Sequence, residues 1–389
     1  MEASSGWKYF PRSLLSKMDQ YGYEADVLTR VDDVRAMAVA WDVLAERFGS
    51  PLLGSDWFLA CAVTLCAESD LRIVVVRSKD AICAVAPLVV VRRGGVEWLE
   101  LLGVSVLYEP AGFLYDGVES LQHLVRKIVS LRMPTVLARI SAESPIEATF
   151  RELTRYRGVV LSRKTASASY VCIEGGWQDY FRSISGQRRY DYQRKRKRME
   201  RLGQVVVRVE RPSSRADLPH LLEEVLRIEG AGWKARSGSA LLVNQRVRTF
   251  IAAYSEMACD RGALRVCFLE VQGGAIATIL GIQDSQRFWV LKIGYDEKWA
   301  RCSPGIQLTM ETIRYAFEQG LEAYEFLGSE EPWQSMWPRH RHALSSLVLY
   351  PTSLHGLLCL SGDLHQFAMS RAQQMFRSFA KRTDRCVSE

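Results

Sequence analysis

A short turn between a strand-like and a helical stretch has the composition of an anion-binding helix start. Ser303 is a residue type preferred at the N-cap, Pro304 has the backbone angle of a first helical position, and Gly305 lets a ligand approach the backbone closely. Free N–H groups at a helix N-terminus bind anions, and Arg301 adds a positive charge. An ordinary buried crossover is the alternative. The candidate residues of the predicted anion site are Arg301, Ser303, Gly305, Ile306 and Gln307.

Three carboxylates in the same half of the chain are candidates for a general base. Glu229 precedes a glycine-rich turn at 230–234, Asp296 follows a strand-like run, and Glu325 lies on the next one. A carboxylate whose pKa is raised by burial accepts a proton near neutral pH. The sequence does not choose among the three, and an ion-pairing or surface role remains open for each.

Motifs for several other chemistries are missing from the sequence. The six histidines form neither H-x-x-x-H nor HExxH, and no cysteine–histidine cluster occurs. There is no G-x-S-x-G elbow, Walker loop or G-x-G-x-x-G fingerprint. We therefore expect no metal cofactor and no covalent serine or cysteine intermediate.

Alternating apolar patterns and turn residues predict the elements that position these groups. In the second half they predict the order β α α β β β α β, a loop rich in Trp and Pro, and a last strand. The first half repeats this order in outline. The predicted second-half strands are 204–210, 264–271, 275–283, 287–294, 322–328 and 345–350, and the helices are 216–230, 246–261 and 304–320.

This succession resembles the GNAT acyltransferase fold, and short motifs resemble its BioF2-like family, which includes CelD-like cellulose-biosynthesis acetyltransferases and is related to FemAB-type transferases. The resemblance implies acyl-CoA (acetyl-CoA) as co-substrate, with its pyrophosphate at the predicted anion site. One departure is the loop R/Q-x-x-G-x-G/A, where proline replaces the first glycine and has no N–H to donate. The motifs are Tyr295-Asp296-x-x-Trp299-Ala300-x-x-Ser303-Pro304-Gly305, Gly-Trp-Lys at 232–234, and Phe326-Leu327-Gly328 before Glu330.

The resemblance also implies where the acceptor is bound. Trp233 and Lys234 resemble the family's Trp-Lys pair and are expected to line the acceptor pocket. Aromatic rings beside carboxylates suit a sugar, although core packing explains most tryptophans. The candidate acceptor-binding residues are Trp233, Lys234, Lys292, Tyr295 and Glu330.

We predict an α/β (α+β) fold of two tandem GNAT-like domains, each a mixed, mostly antiparallel sheet flanked by helices. The boundaries are 1–165 for a degenerate N-terminal domain, 166–354 for the acyltransferase domain and 355–389 for an amphipathic C-terminal helix. The first-half segment 104–117 has no Ser-Pro-Gly and no basic residue. We therefore expect the first domain to shape the cleft while the second performs the chemistry.

Residues 188–201 contain eight basic residues and two acidic ones. At 100° per residue the charges surround the helix, so it cannot be fully buried. A solvated helix, a clamp on coenzyme A phosphates, an anionic acceptor site and a tRNA contact all remain open. The net charge of +7 is modest for 389 residues and does not by itself indicate a nucleic-acid-binding protein.

The sequence favours a cytoplasmic protein. Nine cysteines without CxxC spacing are expected to be reduced thiols, the first 30 residues lack a continuous apolar segment, and no apolar run is long enough to span a bilayer. Our hypothesis is acyl transfer from an acyl-CoA to an amine or hydroxyl, on a sugar or polysaccharide precursor. The alternatives are a FemAB-type aminoacyl-tRNA-dependent transferase and a non-catalytic tandem GNAT binding module. Oligomeric state, acyl chain and acceptor identity are not predicted.

Overall fold

The computed structural model describes residues 22–232 and 244–365. Two sheets with helices packed on them account for nearly all of these residues. Trp233, Lys234 and the tail beyond residue 365 lie outside the described residues, so the predictions made for them are not addressed by the structure.

The first sheet has eight strands, in the order β1-β2-β3-β4-β6-β15-β7, with β5 paired to β3. Only the β4–β6 pairing is parallel. Its strands are β1 (Tyr23–Leu28), β2 (Leu71–Ser78), β3 (Ala81–Arg93), β4 (Val96–Leu101), β5 (Leu114–Tyr115), β6 (Thr135–Ser141), β7 (Gly158–Lys164) and β15 (Leu344–Pro351). The accompanying helices are α1 (Val31–Ala36), α2 (Ala38–Ala45), α3 (Ser55–Thr64), α4 (Val104–Leu107), α5 (Val118–Ser130) and α6 (Ile146–Leu153).

The second sheet has seven strands, in the order β14-β8-β13-β12-β11-β10-β9, and only β12 and β13 pair in parallel. Its strands are β8 (Ala168–Cys172), β9 (Val205–Glu210), β10 (Leu264–Val271), β11 (Gly274–Asp284), β12 (Arg287–Tyr295), β13 (Ala323–Glu325) and β14 (His340–His342). Its helices are α7 (Trp177–Ser183), α8 (Gly186–Glu200), α9 (Leu218–Gly230), α10 (Gln245–Asp260) and α11 (Pro304–Glu318). Residues 354–365 are also helical. The predicted fold class, two mixed and mostly antiparallel sheets flanked by helices, is confirmed.

The last strand of the chain differs from the prediction in its partners. Residues 345–350 were placed with the C-terminal domain, but β15 lies between β6 and β7 of the first sheet. Its burial on both faces is that of an interior strand. The apolar run identified the strand correctly, whereas the choice of partner depends on contacts across the whole chain, which local periodicity does not contain.

A hydrophobic core is shared between the two halves. The ring of Trp57 on α3 packs edge-on against Phe250, at 4.8 Å between ring centroids, and against Tyr254, at 5.0 Å; both belong to α10. All three side chains are buried. Because rings from both halves fill one core, neither half keeps that core intact without the other.

We predict that Leu347→Ala destabilises the whole protein by about 2–5 kcal/mol, because Leu347 is fully buried in β15 and its truncation leaves a cavity. Urea denaturation followed by fluorescence should show one transition that moves to lower denaturant. Leu354→Ala, at a side chain that is 73% exposed, is the control and should change little. Two separate transitions, with only one shifted by Leu347→Ala, would contradict a shared core.

Candidate active site

A cavity lies where two parallel strands separate. β12 and β13 pair from Arg287↔Ala323 to Trp289↔Glu325 and then diverge. Beyond that point residues 290–295 and 326–329 line a cavity of about 320 Å³. This is the size expected of a small-molecule site. The start of α11 lines the same cavity, with Ser303, Gly305 and Ile306.

A β-bulge shapes the β12 wall of this cavity. The register passes from Leu280↔Lys292 to Gly281↔Val290, so Leu291 is an extra residue without a partner on β11. Bulges next to active sites interrupt the hydrogen-bond ladder and redirect backbone groups. Leu291 and Lys292 both line the cavity. The wall therefore offers backbone groups as well as side chains to a ligand.

Glu229 reaches the cavity because residue 294 has no side chain. A Cβ atom built at Gly294 would lie 2.9 Å from both Cα and Cβ of Glu229, closer than real Cβ contacts allow. The glycine thus lets the end of α9 lie directly on β12. Glu229 is 3% exposed and lines the cavity, together with the predicted acceptor residues Lys292 and Tyr295.

The turn before α11, where the anion site is predicted, differs from the prediction in two respects. Ser303 occupies the N-cap in a left-handed conformation (φ 50°), and its side chain makes no capping hydrogen bond. The backbone N–H of Gln307 donates to the carbonyl of Ser303 at 3.1 Å, so it is not free for a ligand. The buried side chain of Gln307 instead donates to the Tyr192 carbonyl at 3.0 Å. Gly305 and Ile306 are the predicted anion-site residues that both follow the cap and face the cavity.

Three other predicted carboxylates do not line this cavity. Asp296 accepts the backbone N–H of Lys298 at 3.0 Å and caps the turn. Glu325, 1% exposed, pairs with Arg287 at 2.6 Å and with His342 at 3.0 Å. Glu330 is bound by two guanidinium groups, and the hydrogen bond from Arg341, with a weaker one from Arg339, keeps the pKa of Glu330 below its ordinary range. These three carboxylates form hydrogen bonds or ion pairs within the protein. Glu331, the residue after Glu330, does line the cavity.

The sequence prediction missed Glu109, which lies in the loop after α4 of the first half. Its Oε2 atom accepts the backbone N–H of Gly328 at 2.7 Å, and its side chain lines the cavity. Burial raises the pKa of Glu109 to about 7, although the Gly328 hydrogen bond and the charges of Lys292 and Arg139 act in the opposite direction. The segment 104–117 was expected to shape the cleft, but no motif around this glutamate distinguishes it from a surface carboxylate.

Arg139 of β6 holds the other side of Gly328. Its fully buried guanidinium donates to the carbonyl oxygens of Gly328 and Ala166, and it lies 4.5 Å from the centroid of the Tyr108 ring. Gly328 has φ 53°, a left-handed conformation that favours glycine. First-half residues therefore fix both backbone groups of Gly328, which belongs to the segment 326–329 that follows β13 and forms one wall of the cavity.

A second cavity, of about 300 Å³, lies next to the first and is lined by cations from α8 and Arg301. Glu311 of α11 accepts hydrogen bonds from Tyr192 and Arg196, which anchors α8 against α11. Among the described residues, no carboxylate forms an ion pair with Lys197, Arg198, Arg201 or Arg301. We call this the cationic cavity; its lining residues are Arg194, Lys195, Lys197, Arg198, Arg201 and Arg301.

Comparison with known proteins identifies the fold to which this site belongs. Residues 186–335 match the acetyltransferase (GNAT) domain family. A comparison with curated proteins gives no match. In the described part of the chain, no helix has the length and apolar character needed to cross a membrane.

Two solved structures show the likeness over both sheets. The crystal structure of FemX superposes with a TM-score of 0.56 at 12% identity, covering 84% of this chain and 96% of that chain. The structure of L-PGS from Bacillus licheniformis gives a TM-score of 0.51 at 14% identity, covering 83% and 95%. At these identities the likeness establishes the shared fold.

The shifted titration of Glu109 leads to a stability prediction. Because the folded state holds its proton more tightly than the unfolded state, stability is lost as the pH rises from 4.5 through about 7. We expect Glu109→Gln to become more stable relative to the parent by about 2 kcal/mol between pH 5 and pH 8. Urea midpoints at the two pH values measure this, with Glu330→Gln as a control that should gain nothing at pH 8. An equal effect of Glu109→Gln at both pH values would contradict the assignment.

Proposed function

We propose that this protein is an acyltransferase of the GNAT superfamily, in keeping with the match of residues 186–335 to that domain family, and that it transfers an acyl group from an acyl-CoA to an amine or hydroxyl on a sugar or polysaccharide precursor. The observation that carries this proposal is the cavity between β12 and β13. It combines a helix N-terminus, a bulged strand and three carboxylates, of which Glu229 is buried. We further propose a cytoplasmic location, where acyl-CoA donors are available.

The donor is proposed to lie along the diverging strands. Its pyrophosphate would rest at the start of α11, where the N–H groups of Gly305 and Ile306 precede the first intrahelical bond, and the helix dipole favours negative charge. Because Pro304 has no N–H, this turn offers fewer donors than the usual phosphate loop. Cations beside the turn, Arg301 among them, supplement it.

Acyl transfer needs the thioester carbonyl to be polarised and the acceptor to lose a proton. The backbone at the Leu291 bulge is the proposed source of the polarising N–H groups. The acceptor heteroatom then attacks the carbonyl carbon directly, and the C–S bond breaks to release the thiol. A direct attack fits a cavity that holds carboxylates but no apparent nucleophile elbow.

The acceptor is proposed to enter past the aromatic residues of the cavity. Tyr295, Phe326 and Trp333 line it beside Glu331 and Gln334. Flat rings with adjacent hydrogen-bonding groups suit a polyhydroxyl acceptor. Gly232 also lines the cavity. Trp233 and Lys234, which the family resemblance assigns to the acceptor pocket, remain proposed acceptor contacts.

The cationic cavity favours a second candidate, a FemAB-type transferase that takes its acyl group from an aminoacyl-tRNA. Asp191 pairs with Arg194 and Lys195. The other four cations of the cavity repel one another unless an anion is bound. A nucleic-acid backbone is such an anion. The 3′-phosphate of coenzyme A is a smaller one, so the cavity alone does not decide between the two donors.

The anion site is tested by Gly305→Asp, with Gly305→Asn as the matched control. A Cβ at this position would lie 3.3 Å from Cδ1 of Tyr295, so both variants share the same steric cost and differ in charge. We expect Gly305→Asp to bind acetyl-CoA at least about tenfold more weakly than Gly305→Asn in calorimetry. Acetyl-pantetheine, which has no phosphates, should not distinguish the two. Equal affinities for acetyl-CoA would place the donor phosphates elsewhere.

The two donors are distinguished by changing Lys197, Arg198 and Arg201 together to glutamine. The control removes the same charge at the exposed residues Arg126, Arg132 and Arg155, which lie outside α8. For an acyl-CoA enzyme we expect both triple variants to retain turnover with acetyl-CoA, with at most a modest rise in KM.

The opposite result would support the aminoacyl-tRNA candidate. In that case the parent binds tRNA, and the cavity variant lowers the slope of log affinity against log salt by about 2, because three phosphate contacts are lost. The control variant would keep the slope of the parent. Loss of turnover in the cavity variant alone, together with such binding, would replace our choice of donor.

A further inference from the structure

We propose that Glu109, which the first half of the chain contributes to the cleft of the second, is the general base that deprotonates the acceptor. This inference rests on the proposed acyl transfer and adds the residue that the transfer requires. It also assigns the first half a part in catalysis, since the base and its support both come from the first sheet and its loops.

The position of the Glu109 carboxylate suits this role. Its Oε2 atom is held by the Gly328 N–H at 2.7 Å, which orients the group at the end of β13. Its Oε1 atom has no hydrogen-bond partner among the described residues, so one lone pair is available to a bound acceptor. The carboxylate lines the same cavity as the β12 bulge, where the thioester carbonyl is proposed to lie.

The surroundings of Glu109 are rigid. Tyr108 and Arg139 both have φ 58°, an uncommon conformation for non-glycine residues, and Arg139 is fully buried beneath the Tyr108 ring. Arg139 also holds the Gly328 carbonyl, so the group that anchors Glu109 is itself anchored. Arg139 is thus a positioning residue that acts through Gly328.

Two cations act on the Glu109 carboxylate, and two further carboxylates line the same cavity. Lys292 of β12 and Arg139 of β6 are cations that lower the pKa of Glu109, and burial outweighs them, giving a value of about 7. Glu229 of α9 and Glu331 line the same cavity. A base with a pKa near the working pH combines a large fraction of the active form with adequate proton affinity.

The proposed transfer needs no further reactant to supply or remove a proton. As the acceptor nitrogen or oxygen forms its bond to the acyl carbon, its proton passes to Oε1 of Glu109. The C–S bond breaks, and the electron pair leaves with the thiolate. Protonated Glu109 then returns the proton to the sulfur, giving the free thiol and restoring the carboxylate.

The test compares Glu109→Gln with Glu229→Gln, using acetyl-CoA as donor and glucosamine as acceptor. Glutamine keeps an oxygen for the Gly328 N–H but cannot accept a proton at neutral pH. We expect Glu109→Gln to lower kcat by about 100-fold or more, with donor affinity unchanged, and to remove the rise of kcat/KM through about pH 7. Lys292→Met should move that rise to higher pH, because it removes a charge that lowers the pKa of Glu109.

Hydroxylamine, which is uncharged at the assay pH, serves as a second acceptor that depends less on a base. A base role predicts a smaller loss for Glu109→Gln with hydroxylamine than with glucosamine, whereas a purely structural role predicts equal losses. Full kcat in Glu109→Gln, an unchanged pH profile, or loss of the pH dependence only in Glu229→Gln would overturn the proposal. A parent that transfers acetyl to neither acceptor would overturn the proposed acyl-CoA function itself.

Discussion

Hydrogen bonds to the backbone of Gly328 connect the first half of the chain to the candidate active site of the second. The Gly328 N–H is bound by Glu109 and its carbonyl by Arg139, and both partners belong to the first half of the chain. A buried backbone group without a partner is costly, so the end of β13 stays where these side chains place it. The width of the cleft follows from this, because residues 326–329 after β13 form one wall and β12, anchored in the second sheet, forms the other.

The same hydrogen bonds give a role to the first half of the chain, which has no anion-binding loop. Its loop after α4 closes the cleft, and its core continues into that of the second half through Trp57. The sequence predicts that one domain shapes the site and the other reacts, and Glu109 of the first half does line the cavity. Our proposal that Glu109 is the general base gives the first domain a part in the chemistry as well.

Sequence reasoning succeeded where the determinants are local. The start of α11 was identified from Ser303, Pro304 and Gly305, since capping and backbone preferences act over a few residues. It failed where the determinants are distant. Glu109 and Gly328 are 219 residues apart, and nothing near Glu109 reveals the contact. Gln307 was assigned to the ligand because of its place in the first turn, but its side chain binds α8, a helix whose docking no local pattern specifies.

β15 pairs with strands that lie far earlier in the chain, and this has a consequence for folding during translation. The ribosome releases β6 and β7 long before β15, which must then enter between them. Until residue 351 has emerged, the nascent first sheet has two open edges, and unpaired strand edges readily pair with other chains. The edges of β6 and β7 therefore stay open to misassembly from the release of residue 164 until that of residue 344, and a chaperone that shields those edges would act in this interval.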